Sequence, residues 1–248
     1  MRPSIYKQFE KSVLQYRMIQ EEDRIIAGLS GTDSLVMLRL LADHLKYRKV
    51  SFDLQAVHVD VGFPNSDRLI ALLESFCHSI DIPFHHIPTR IYETAFHPKA
   101  KKNPCFICSL YRRRKLYQYA HDHNFNLIAY GHHKDDIIET LLLNILYGRK
   151  IEAMSPVQSI FKGTFFIIRP MAYTDEAAIK AWAKKQNMPS MPHYCPMDGQ
   201  SRREKVKVFI RSLQENEPNA NIRENIFKSL DQIHLRPIRQ SIRPESLD

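Results

Sequence analysis

Three groups of residues in this 248-residue chain stand at spacings that could support chemistry. Cys105 and Cys108 open a helical pattern in PCFICSLYRRR, and residues three apart share one side of a helix. Their thiols therefore converge near the helix's positive end, where thiolates are favoured. Cys195, in PHYCPMDGQSRRE, is the natural third sulfur. A pair plus a distant third suits zinc with one more ligand, such as His193, or an iron–sulfur cluster with one iron left open. Unmetallated thiols on a helix face are the plain alternative. Cys77 differs, because Leu73, Phe76 and Ile80 surround it in the pattern and make it a core residue.

The second group is Ser30-Gly31-Thr32-Asp33-Ser34, set between an apolar run and a helical pattern in a chain with only seven glycines. A strand-to-helix turn leaves backbone N–H groups unpaired with the helix dipole behind them, which makes an anion site. Gly31 would let the backbone approach a phosphate, Ser30, Thr32 and Ser34 could donate hydroxyl bonds, and Asp33 could orient magnesium. A turn in which Ser30 or Asp33 merely caps the helix uses the same residues. The third group follows Gly131, where His132, His133, Asp135 and Asp136 stand at the end of the NLIAY strand. Asp136 could position magnesium or an attacked base, and His133 could contact phosphate or move a proton near neutral pH. Helix capping by Asp135 or Asp136 competes with that reading. Arg112, four residues after Cys108, falls on the thiols' side of the helix.

These groups must be held by a scaffold, and the hydrophobic periodicity supplies one. A helix over about 4–20 precedes strand Arg24 to Leu29. Strand, helix and strand then alternate through FDLQAVHVD, DRLIALLESFCHSI, PFHHIP, CFICSLYRRRKLYQYAHDH, NLIAYG, DDIIETLLLNILYG, FFIIRP and DEAAIKAWAKKQ. The stretch 89 to 104 reads as a loop. Such alternation predicts an α/β fold with a parallel, approximately five-stranded sheet and helices on both faces, with ligands beyond the strands' carboxyl ends. The organisation is a helix over 1–20, a sheet domain over 21–190, and a helical segment over 191–248 ending in the basic tail HLRPIRQSIRP.

Composition narrows the class. With 44% hydrophobic and 25% charged residues and no apolar stretch of spanning length, the chain is expected to be a cytoplasmic globular protein with no membrane partner. The net charge of +9 predicts attraction to a polyanion, with nucleic acid the leading class. Arg149, Lys150, Arg202, Arg203 and the tail arginines are candidates for phosphate contacts. Four cysteines are too few for a disulfide scaffold.

AGLSGTDSLVML resembles the phosphate loop of the N-type ATP pyrophosphatases, the PP-loop family, whose usual pattern is Ser-Gly-Gly-x-Asp-Ser after the first strand. Here one glycine of the pair is missing, which reads as a loop one residue shorter. With Cys-x-x-Cys on a helix, GHHKDDIIET at 131 to 140, IRP at 168 to 170 and a third cysteine before a Gln/Arg-rich stretch, the chain from about 20 to about 213 resembles the tRNA 2-thiocytidine synthetases (the TtcA family). That resemblance implies ATP and Mg2+ bound through Ser30, Gly31, Thr32, Asp33 and Ser34. The end of the second strand would hold the adenine through backbone groups of Val57, His58 and Val59, with Asp60 close to ribose or metal and Gly131 and His132 beside them. It implies a [4Fe-4S] cluster on Cys105, Cys108 and Cys195, with zinc as the fallback, and catalytic roles for Asp136, Arg112 and His133. The expected reaction is adenylation of an anticodon-loop cytidine at tRNA position 32, followed by replacement of its C2 oxygen with sulfur. The sulfur donor would be a persulfide carrier, such as a cysteine desulfurase, or free sulfide, and a homodimer is compatible. Two rivals stay open: another PP-loop enzyme, such as a tRNA lysidine-type ligase or a small-substrate sulfur enzyme, and a non-catalytic zinc or RNA-binding descendant.

Overall fold

The computed structural model describes residues 5–47, 50–192, 194–197, 199 and 201–232. The alternating pattern folds as an α/β sheet, with strands β1 (Arg24–Leu29), β2 (Asp53–Val59), β3 (Phe84–Ile87), β4 (Leu127–Tyr130), β5 (Val157–Ile160) and β6 (Phe165–Ile168). Helices α1 (Ile5–Gln15), α2 (Thr32–Tyr47), α3 (Ser66–Ser79), α4 (Ile91–Ala95) and α5 (Pro104–Asp122) fill the first half. Helices α6 (Lys134–Gly148), α7 (Glu176–Lys185), α8 (Arg202–Asn216) and α9 (Ile222–Ser229) complete the second. The sheet has six strands in the order β3-β2-β1-β4-β6-β5. All pairings are parallel except β5 with β6.

Two short elements depart from the expected scheme. The additional strand, β5 (VQSI), has two exposed residues at its centre and pairs antiparallel at the sheet edge, so it carries neither a buried apolar run nor a crossover helix to announce it. The stretch 89 to 104 contains α4, one turn anchored by buried Ile91 and Ala95. The basic tail and His193 lie outside the described residues.

Strands β1 and β4 are apolar through their middles because both sheet faces are covered. Ile25, Leu29, Leu54 and Ala129 face the larger core with α2, and Phe9 and Val13 of α1, Leu73 of α3 and Ile179 of α7 pack there too. Ile26, Val57, Val59 and Ile128 face the other way, against Leu116 and Ala120 of α5. Each fully buried aliphatic chain of this kind contributes about 1.5–3 kcal/mol. The N-terminal helix is thus part of the main core, and His44 Nδ1 at 2.9 Å from Glu10 Oε1 ties it to α2. Helices α8 and α9 pack on α6 through Ile138, Val206 and Ile210. From β1 the chain runs outward to β2 and β3 and then returns to place β4 on the opposite side of β1. This reversal opens a crevice between their carboxyl ends.

Candidate active site

That crevice holds the loop between β1 and α2. Gly31 carbonyl accepts the Ser34 and Leu35 amides at 3.1 and 3.3 Å, which starts the helix. The Ser34 hydroxyl accepts the Ser30 and Gly31 amides at 2.9 and 3.1 Å and donates to the Gly31 carbonyl at 2.6 Å. Ser34 is buried, so its expected role as a phosphate donor is corrected: its hydroxyl is the internal tie of the loop. The amides of Thr32 and Asp33, first in the helix, have no acceptor one turn back. A Cβ added at Gly31 would meet nothing within 4 Å, so the protein itself leaves that space open. Counted back from Ser34, Leu29 to Ser34 keeps the six-residue length of the phosphate-loop pattern, with Leu29 and Ser30 in place of its first serine and first glycine. The departure is therefore a replacement and not a shortened loop.

Gly131 serves this loop from the neighbouring strand. A Cβ there would stand 2.8 Å from both Cα and N of Ser34, so only glycine lets the end of β4 press against the start of α2. His133, the next capping residue, is buried among three carboxylates, with Nε2 3.4 Å from Asp136 and 3.8 Å from Asp33 and Nδ1 3.9 Å from Asp135. Asp136 accepts the His133 amide at 3.1 Å and Arg203 at 2.7 Å. Asp135 is structural, because it accepts the Glu176 amide at 2.7 Å and pairs with Arg223.

Two depressions flank the loop and share Arg203. One cleft of about 460 Å³ is lined by Ser30, Val57, Val59, Arg112, Tyr130 and His132, among others, with Arg169 at its wall. The adjoining recess of about 360 Å³ is lined by Asp33, Cys105, His133, Asp136, Glu139 and Cys195. Buried polar atoms without hydrogen-bond partners concentrate here: His132 Nδ1, His133 Nδ1, Glu139 Oε1 and Arg169 Nε. Native proteins rarely tolerate such atoms, so their clustering marks a place where something else must satisfy them.

The electrostatics follow from burial. Burial pushes the Asp33 carboxyl up, with His133 opposing and Asp136 reinforcing the shift. Glu139 is pushed up to about 7 for the same reason, against the pull of Arg203. Burial pulls His132 down to about 4, and Arg169 and Arg203 add to the fall, so its ring is neutral near pH 7. Arg112 is lowered by burial and restored in part by Tyr130 and Cys108; among the described residues no carboxylate pairs with it.

Of the strand-β2 candidates, Val57 and Val59 line the cleft, whereas His58 and Asp60 do not. His58 Nδ1 lies 2.9 Å from the Leu29 carbonyl, and burial lowers its pKa, so the neutral ring donates and stitches β2 to β1. Asp60 accepts the Gly62 amide at 2.9 Å and the Ser66 hydroxyl at 3.1 Å, which shapes the turn into α3. Their side chains therefore shape the strand end, while the backbone of that end runs beside the cleft-lining Val57 and Val59. Residues absent from the expected site are Arg169, whose guanidinium donates to Ser155 carbonyl and Gln158, and Glu139. Arg203 was expected only as an RNA contact. The IRP motif and the basic start of α8 carried the signal, but nothing local says that they meet.

Cys105 and Cys195 meet in the recess, with Cys108 one helical turn along from Cys105. Burial raises Cys105 and Cys108, and for both the next cause is the neighbouring Cys195; Arg112 lowers Cys108. Among the described residues no group of three His, Cys, Asp or Glu side chains stands ready at metal-ligating spacing. The donor set of three soft sulfurs fits an iron–sulfur cluster better than a hard cation. Cys77 is buried away from them, its thiol pushed up to about 12.

Comparison with known proteins adds the following. Residues 3–194 match the model of the PP-loop domain. The tRNA-cytidine(32) 2-sulfurtransferase of Methylococcus capsulatus is 34% identical over 230 residues, covering 90% of this chain and 77% of the relative. That of Azotobacter vinelandii is 33% identical over 230 residues, 90% and 81% of the two chains. Among solved structures, the U34-tRNA thiolase NcsA from Methanococcus maripaludis, described with its [4Fe-4S] cluster, aligns with a TM-score of 0.75 at 21% identity over 92% of this chain and 78% of its own. The NH3-dependent NAD synthetase of Campylobacter jejuni aligns at 0.51 with 16% identity over 98% and 97%. At these identities both share the fold.

Proposed function

The chain belongs to the PP-loop domain family and, within it, to the tRNA-cytidine(32) 2-sulfurtransferases, and from that premise we propose how its residues divide the work. The reaction is ATP-dependent thiolation of tRNA. In our reading the phosphates of ATP lie on the Thr32 and Asp33 amides in the space beside Gly31, with the base against Val57 and Val59. Asp33 and Asp136 face the recess and would hold Mg2+, which would supply neutralisation of the phosphate charge. Arg112, Arg169 and Arg203 surround the transferred phosphorus from the other side.

The C2 oxygen of cytidine 32 attacks the α-phosphorus, the bond to the β-phosphate oxygen breaks, and pyrophosphate leaves. A hydrosulfide equivalent then adds at C2 and loses its proton, and AMP departs with the original oxygen, leaving a C2 thiocarbonyl. Arg112, charged and without a carboxylate partner among the described residues, stabilises the negative charge of both transfers. His133, held among Asp33, Asp135 and Asp136, receives the proton. His132, neutral at physiological pH, offers a hydrogen bond to the base. A [4Fe-4S] cluster on Cys105, Cys108 and Cys195 would have one iron free of protein ligands and would supply the place where sulfide is kept. The sulfide comes from solution, or from a persulfide carrier whose outer sulfur is released as hydrosulfide when a thiol reductant supplies two electrons and is oxidised to the disulfide, and the enzyme works in the cytoplasm, where tRNA is.

The observation that carries this reading is that Ser30, Arg112 and His132 line one cleft beside the loop and Asp33, Cys105, Asp136 and Cys195 the recess adjoining it, with Arg203 shared by both. Anaerobic reconstitution with ATP, magnesium, sulfide and unmodified tRNA should yield 2-thiocytidine. Arg112→Ala and Asp136→Asn should each lower the rate by at least about 100-fold. Cys108→Ala should abolish thiolation while Cys77→Ser retains it. A Cys108→Ala protein with full activity would favour the other PP-loop chemistries.

A further inference from the structure

Between α6, α7, α8 and α9 four cations are held in ion pairs: Arg203 with Asp136, Lys207 with Glu176, Lys134 with Glu224 and Arg223 with Asp135. Those on and before the middle of α5, namely Lys101, Lys102, Arg113, Arg114 and Lys115, have no ion pair with any described residue, and the helix's one carboxylate, Asp122, is at its far end. Two aromatic rings sit exposed among them, Phe106 at 47% and Tyr111 at 38%. Lys102 Nζ lies 5.2 Å from the centroid of Phe106, and Arg114 Cζ lies 5.8 Å from that of Tyr111.

Helical spacing places Phe106 at the working edge. Ser109, Arg112 and Leu116 line the cleft, Cys105 lines the recess, and Phe106 and Arg113, seven apart, run along the border of that stripe. Arg113 itself reaches the cleft. A face with free cations alone would suit any polyanion or an acidic protein. Exposed ring planes alternating with cations suit a strand whose bases are unpaired, because each base can stack while its phosphate meets a guanidinium.

We propose that this side of α5 is the docking surface for the tRNA anticodon loop, with Phe106 the stacking platform for a base next to the target and Lys102 and Arg113, which flank that ring, the phosphate contacts. The inference rests on the tRNA-thiolating reading above and adds to it the surface and the positioning residue. Stacking at Phe106 fixes the loop so that the target base points into the cleft.

The test measures binding apart from turnover. Titrating full-length wild type with unmodified tRNA, Phe106→Ala should raise Kd, and KM for tRNA, about 10-fold with kcat within about 2-fold. Calorimetric ATP affinity and the visible absorbance of reconstituted protein should be unchanged, and Phe106→Tyr should restore binding. Lys102→Glu/Arg113→Glu should weaken tRNA binding and lower the salt slope by about 1.5. An anticodon stem-loop oligonucleotide should compete, and a fully paired hairpin of equal length should not. Wild-type affinity in both variants, or equal competition by the paired hairpin, overturns the proposal while leaving the thiolation reading intact. Wild type that binds no tRNA at low salt overturns both.

Discussion

At the scale of single residues, the two glycines of the rim have opposite meanings. Gly31 faces space the protein leaves open, and Gly131 faces backbone 2.8 Å away. Gly31→Ala should therefore fold with stability within about 1 kcal/mol of wild type yet lose at least about 10-fold in ATP affinity, as read by calorimetry. Gly131→Ala should lose about 2–4 kcal/mol in urea denaturation, because the strand end and the helix start must part. Glu139 makes a further prediction. Its folded pKa of about 7 exceeds the usual carboxylate value, so its contribution to stability is full in acid and is lost as pH rises toward 7. Glu139→Gln removes that loss, so the variant should gain on wild type by on the order of 2 kcal/mol at about pH 8 relative to about pH 5. A stability difference equal at the two pH values would count against the buried, unsatisfied carboxyl. The sequence announces Cys105, Cys108, Arg112 and Asp136 because each belongs to a local spacing. It conceals that His58 and Asp60 turn away from the cleft, since alternation along a strand says which residues share a face but not which face meets the ligand.

Among the elements, α8 is the one whose packing reaches the chemistry. Val206 and Ile210 bury against Ile138 of α6, and that seam delivers Arg203 to Asp136 and to both depressions. Ile210→Ala should destabilise by about 2–4 kcal/mol and weaken ATP binding through the displaced arginine, with hydrogen exchange in β1 and β4 unchanged. If β1 loses protection equally, the seam is not an independent unit. Long elements such as α2 and α5 were legible within a few residues, because an apolar period over many residues outweighs local noise. Strand β5 and helix α4 were not, being four and five residues long and half exposed. The meeting of α8 with α6 joins residues more than 60 apart, and no periodicity encodes it.

For the whole molecule, the surplus of +9 charges and the unpaired cations of α5 predict an association governed by phosphate contacts. With about five phosphates neutralised, the tRNA Kd should rise about 100-fold between roughly 50 and 200 mM salt, a slope readable by filter binding; a flat response would remove the electrostatic account. Charge was legible from composition, but which cations lie beside the exposed rings of α5 needed the fold. The described residues include no helix long and apolar enough to cross a membrane. One consequence concerns the order in which the rim is completed. Cys195 and Arg203 both come after the last sheet strand, Phe165–Ile168. A nascent chain whose sheet has already emerged from the ribosome therefore owns the loop between β1 and α2 but neither Cys195 nor the arginine that joins the two hollows, and on the function proposed above a stalled or clipped translation product would be born idle.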